Sequence, residues 1–199
     1  IKNILVNIRS GIASIIPSGI GFLVREEVIN INKVLNNPKK PLVMLLGGAK
    51  VSDKIGVIEN AVKIADYVLI GGGMPYTFYK ALGYNTGLSL IDDDSIDFCK
   101  KIYSEYKNKI ILPEDVVVAT SITEASNTRL TNYSGISNNE LGVDIGVSTI
   151  NKYKSILMNA NSIIWNGPVG VFEIGKFSNG TRKVVEILNN SKADIIIGG

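Results

Sequence analysis

Short apolar runs that stop on glycine recur along this chain, and they constrain its fold more than anything else in the sequence. Leu42-Val43-Met44-Leu45-Leu46 runs into Gly47-Gly48, and Tyr67-Val68-Leu69-Ile70 runs into Gly71-Gly72-Gly73. Ser162 to Trp165 leads into Asn166-Gly167-Pro168-Val169-Gly170, and Ala193-Asp194-Ile195-Ile196-Ile197 leads into Gly198-Gly199. Four or five residues of this kind, without polar alternation, suit strands buried on both faces. Such strands need helices above and below them.

The intervening segments supply those helices. Ile55, Ile58, Ala61, Val62 and Ala65 fall on one face of a helix for which Ser52 is the expected N-cap. Further helices are predicted over Tyr76 to Leu82, Ser95 to Tyr106, Ser148 to Met158 and Thr181 to Leu188, with strands over Lys109 to Leu112 and Val116 to Ala119. Before all of these, Val24, Val28, Ile31 and Leu35 predict a helix from Val24 to Asn36, ended by Asn37-Pro38. Residues 120–140 are polar and read as a surface excursion. Alternating strands and helices predict an α/β, Rossmann-like three-layer domain, a parallel sheet with helices on both faces. The expected organisation is 1–23, a helix over 24–37, and the domain proper over 38–199.

Composition removes several chemistries. The 199 residues contain no His, which excludes Ser-His-Asp and Cys-His catalysis and His-based zinc sites. Cys99 is alone and predicted to pack on the inner face of its helix. Lys and Arg number 21 against 18 Asp and Glu, a formal +3, too small to argue for a nucleic-acid or anionic-membrane surface. Arg9, Pro17 and several Asn and Ser interrupt the Ile-rich stretch near the N-terminus, so no membrane span is read there.

Ligands of open parallel sheets bind at the carboxyl ends of the strands, where the glycine clusters fall. Four clusters together predict a crevice in which backbone approaches a flat or phosphorylated ligand. Lys50 and Lys54 flank a predicted helix N-terminus, where the helix dipole disfavours cations by about 0.3–1 kcal/mol each. An anion between them would resolve that conflict, and phosphate suits backbone N–H groups and ammonium groups alike. Solvation of both lysines, with Asp53 compensating, explains the residues equally well. The segment is neither GxxxxGK[ST] nor GxGxxG. Pro168, Val169 and Val171 could form an apolar shelf for a base, with Glu173 accepting from ribose hydroxyls. Asp115 and Asp144 read as turn or cap residues.

These pieces, in this order, resemble the nucleotide-binding C-terminal half of phosphoglycerate kinases. The residues that carry the resemblance are Gly47 to Lys54, Gly71 to Met74 with Thr77-Phe78, Leu112 to Ala119, Asp144-Ile145-Gly146, Trp165 to Glu173 and Phe177 to Thr181. The resemblance implies reversible phosphoryl transfer from 1,3-bisphosphoglycerate to ADP, giving 3-phosphoglycerate and ATP in glycolysis. Lys50 and Lys54 would then be the catalytic lysines at the transferring phosphates. Gly48, Gly72, Gly73, Leu90, Gly142, Val143, Pro168 and Val171 would surround adenine, with Gly170 beside them. Glu173 would hold the ribose, Asn166 would approach the phosphates, and Gly198 and Gly199 would belong to the nucleotide-binding residues.

The same resemblance implies a cytoplasmic monomer whose Mg²⁺ arrives as the nucleotide complex. It also implies a triose-acid site on a separate N-terminal domain, of which Gly11 to Phe22 resembles the end. Ile1 in place of Met, and the last two glycines, read as ends of a piece. The Asp that serves Mg²⁺ in the family would follow them, and turnover by this chain alone is not expected. The alternative is a non-catalytic nucleotide-binding or interaction module on the same fold.

Overall fold

A computed structural model describes residues 38–198, with Gly21, Phe22 and Arg25 before them. The chain divides between Asn37 and Pro38, and the fold is that of the second unit. The expected helix Val24 to Asn36, the segment 1–23 and Gly199 lie outside the described residues, those three early positions apart.

The apolar runs become strands. In order the elements are β1 (Leu42–Leu46), a 3-10 turn (Ser52–Lys54), α1 (Ile55–Ile64), β2 (Tyr67–Ile70), α2 (Met74–Ala81), α3 (Ile96–Tyr106) and β3 (Ile110–Ile111). Then come β4 (Asp115–Ala119), β5 (Thr128–Asn132), β6 (Leu141–Ile145), α4 (Val147–Met158), β7 (Ser162–Asn166), α5 (Asn179–Asn189) and β8 (Asp194–Gly198). Five strands form one parallel sheet in the order β3-β2-β1-β7-β8.

Every residue of β1 is buried, and its two faces serve different layers. Leu42, Met44 and Leu46 pack with Ile58 and Val62 of α1, Phe78 of α2 and Cys99 of α3. Val43 and Leu45 turn the other way, onto Tyr153 and Leu157 of α4 and Val184 and Leu188 of α5. Burying each such side chain contributes about 1.5–3 kcal/mol, which is why the central strand carries no polar residue. Helices cover both faces, as the alternation of elements requires.

The alternation does not run throughout, however. Val116 to Ala119 belongs to a second, three-stranded antiparallel sheet in the order β5-β4-β6. Its β5 lies inside the stretch read as a surface excursion, and β6 covers residues for which no strand is predicted. Both are hard to see because only one face of the sheet is buried. Thr128–Asn132 is almost wholly exposed, and Leu141–Ile145 is interrupted by Gly142.

Candidate functional site

The parallel sheet changes its direction of winding between β1 and β7, since β2 and β3 lie on one side of β1 and β8 lies beyond β7. A crevice opens at such a switch point because the loops leaving the two strands diverge. Here three loops are joined across it. Gly48 N–H donates to Pro168 O at 3.1 Å, Gly72 N–H to Val169 O at 2.9 Å and Gly73 N–H to Gly48 O at 2.8 Å.

This approach explains glycine at position 72. Its φ is +69°, and a Cβ there would stand 2.5 Å from Gly48 O. The glycines therefore clear room for one another's backbone as well as facing open space.

The loops form one side of a cavity of about 260 Å³, and Leu90 and β6 form the other. Leu88 N–H donates to Glu140 O at 2.7 Å, and Gly142 N–H to Ser89 Oγ at 3.0 Å, which lays Leu90 against β6. Val171 N–H donates to Val143 O at 2.8 Å and closes the far corner. Of the residues singled out in the sequence, Gly48, Gly72, Gly73, Leu90, Gly142, Val143, Pro168, Gly170, Val171 and Glu173 all line this cavity. Val169 does not: it is buried in the core against β1 and β7 and takes no part in a shelf.

Lys50, Lys54, Asn166 and Gly198 stand outside the cavity lining. Lys54 Nζ donates to Asn166 Oδ1, at the end of β7. Its Cε passes 3.1 Å from where a Cβ of Gly48 would be, so the side chain runs along the cavity's edge. Lys50 is exposed, just ahead of the 3-10 turn that ends in Lys54. Gly198 O accepts from Gly167 N–H at 3.2 Å, beside Asn166.

Ser52 is not an N-cap. A 3-10 turn precedes α1, no side chain caps it, and Ser52 N–H donates instead to an Asp92 carboxylate oxygen at 2.7 Å.

Two acids act as the sequence suggested, by holding helix starts. Asp115 accepts from Ser148 N–H at 2.9 Å and Thr149 N–H at 2.7 Å, at the first turn of α4. Burial works against its charge, yet hydrogen bonds from Thr149 and Ser148 outweigh it and hold the carboxyl below its usual range. Asp144, on β6 behind the cavity wall, accepts from Gly180 N–H at 2.7 Å and Ile145 N–H at 2.9 Å. Its burial is more complete and pushes its pKa up to about 7 despite those two donors. Cys99 is buried in the core, and burial pushes its thiol up to about 12, so it is no nucleophile at neutral pH.

Sequence reasoning missed Ala49, Tyr76, Ile122 and Leu141, which also line the cavity. Ile122 carried a signal, as a large apolar residue in a polar stretch that remains half exposed. Tyr76 carried none. It is buried on α2, with its ring tip against Gly142, and only the fold brings the two together.

Among the described residues no three Asp, Glu or Cys side chains converge to hold a metal ion, and no helix is long and apolar enough to cross a membrane. What the arrangement can do is enclose a flat apolar group. It can also offer ammonium and amide groups to an anion at one edge.

The family model described as "Phosphoglycerate kinase" matches residues 9–199. Phosphoglycerate kinases from Finegoldia magna and Fusobacterium nucleatum are 44% and 46% identical to the chain, each over 95% of it and over 49% and 48% of their own lengths. The solved phosphoglycerate kinase from Coxiella burnetii superposes with a TM-score of 0.86 at 39% identity, over 90% of this chain and 47% of that one. That from Pyrococcus horikoshii OT3 gives 0.81 at 30% identity, over 95% and 49%. The chain thus spans about half the length of the curated relatives it matches.

Proposed function

This chain belongs to the phosphoglycerate kinase family, and on that premise we propose that it is the part of such an enzyme that holds ADP and ATP. The observation that carries the reading is the single cavity whose walls gather ten of the residues expected around the nucleotide. Apolar walls suit a purine, and the Glu173 carboxylate, exposed at the rim, suits ribose hydroxyls. The phosphates then extend toward Lys54, Asn166 and Lys50.

The reaction is reversible phosphoryl transfer from 1,3-bisphosphoglycerate to ADP. An oxygen of the ADP β-phosphate forms the new P–O bond as the acyl phosphate P–O bond breaks, and 3-phosphoglycerate leaves as a carboxylate. Such a transfer needs in-line positioning and charge stabilisation rather than a covalent nucleophile, so a chain without His is no obstacle. Lys50 and Lys54 supply cationic charge to the transferring phosphoryl oxygens. Mg²⁺ arrives as part of the nucleotide substrate, and the triose acid is held by a separate domain. The setting is the glycolytic machinery of the cytoplasm.

Calorimetric titration tests the reading. ADP binds saturably to the wild-type chain, and Lys54→Ala weakens ADP by about 10-fold or more, the scale of a lost charge-assisted hydrogen bond. Adenosine, which has no phosphates to lose, binds both proteins alike. Absence of saturable ADP binding to the wild type would reject the proposal.

A further inference from the structure

Two lysines at a helix start repel each other and the helix dipole, so something must hold the turn that carries them. The structure supplies an anion from a distant part of the chain. Asp92 accepts from Ser52 N–H at 2.7 Å, midway between Lys50 and Lys54 in sequence. The Ser52 side chain, together with that backbone bond, holds the Asp92 carboxyl below its usual range, and the Lys50 ammonium adds to the effect.

Asp92 is also anchored from behind. Its own N–H donates to Thr77 Oγ1 at 3.1 Å, on α2 beside Tyr76. Two residues earlier, Leu90 forms part of the cavity wall, and Ser89 and Leu88 are hydrogen-bonded to β6 and the residue before it. The stretch 88–92 therefore begins on one wall of the cavity and ends on the lysine turn.

We propose that Asp92 is a positioning residue that fixes the lysine turn relative to the base-side wall, so that a nucleotide seated against Leu90 finds its phosphates within reach of Lys50 and Lys54. This rests on the nucleotide reading given above. The carboxylate touches no ligand itself. It acts through the Ser52 amide, and the 40 residues separating Ser52 from Asp92 make this a tertiary tie that no local propensity could provide. An Asn side chain keeps an acceptor oxygen for that amide, whereas Ala removes it.

The experiment compares wild type, Asp92→Asn and Asp92→Ala by calorimetry with ADP and with adenosine. Asp92→Ala weakens ADP by about 10-fold, and adenosine stays within about twofold. Asp92→Asn restores ADP to within about threefold of wild type. A merely structural role would lower both ligands together, and that result overturns the proposal, as does ADP binding to Asp92→Ala at wild-type strength.

Amide hydrogen exchange on the ligand-free proteins is the second measurement. Exchange at Ser52–Lys54 is about 10-fold faster in Asp92→Ala, with β1 unchanged, and Asp92→Asn restores it. Equal exchange in wild type and Asp92→Ala overturns the positioning role even if no nucleotide binds. A wild type that binds no ADP but shows the exchange difference overturns the nucleotide reading while leaving the Ser52–Asp92 tie in place.

Discussion

The two sheets of this molecule obey different rules. In the parallel sheet β1 is buried in all five residues, and every side chain has a helix to pack on. In the antiparallel sheet β5 is exposed at four of five positions, and only β4 and β6 contribute to a core. The parallel sheet therefore carries the stability, and its strand ends carry the loops. The antiparallel sheet contributes a wall. Its β6 brings Gly142 and Val143 to face loops from the ends of β1, β2 and β7, and the cavity lies where the two sheets meet.

That contrast can be broken most forcefully from the core. Leu45, fully buried on β1, faces α4 and α5, and Leu45→Ala is expected to cost about 2–5 kcal/mol of unfolding free energy, by lost burial and a cavity left behind. Urea titration followed by circular dichroism measures it. A loss below about 1 kcal/mol would mean that the parallel sheet is not the stabilising layer.

Asp144 sharpens the comparison at the junction of the two sheets. Its folded pKa, about 7, lies above the ordinary 3.8. Between these values the folded protein keeps a proton that the unfolded chain gives up. The resulting contribution to stability is fully present below about pH 4 and is lost as pH rises through about 7. Asp115 leans the opposite way, since its depressed carboxyl adds stability as pH rises. The raw profile mixes the two, so the difference between wild type and Asp144→Asn is the quantity to measure. The wild-type melting temperature should fall relative to the variant's as pH rises from 4 to 7; parallel curves would show that Asp144 titrates normally.

The smallest effect belongs to β5. Leu130 is half exposed on the open face, and Leu130→Ala should change stability by no more than about 0.5 kcal/mol. A loss as large as that of Leu45→Ala would mean that β5 has a partner covering it.

The same contrast explains what could be read from the sequence. The runs Leu42–Leu46 and Tyr67–Ile70 announce themselves because a strand buried on both faces tolerates no polar residue. Thr128-Arg129-Leu130-Thr131-Asn132 resembles a loop because its partners, and not its composition, make it a strand. The cavity was legible where glycine, proline and branched apolar residues follow strands, as at Gly48, Gly72, Pro168 and Val171. It was not legible at Tyr76, which looks like any helix-face aromatic until the fold sets it against Gly142. Ser52 misled for a related reason: a serine before an apolar helix looks like a cap, but Asp92 claims its amide first.

The central claim is that the junction cavity, rather than any other hollow, receives the nucleotide. A second cleft, of about 460 Å³ and lined by Tyr79, Tyr84, Tyr103 and Tyr133, is the natural control. Backbone amide shifts followed during ADP titration decide between them. Saturating shifts at Gly73, Gly142 and Val171, with none at Tyr84 or Tyr133, are the predicted result. Shifts centred on Tyr84 and Tyr133, or none that saturate, would contradict it.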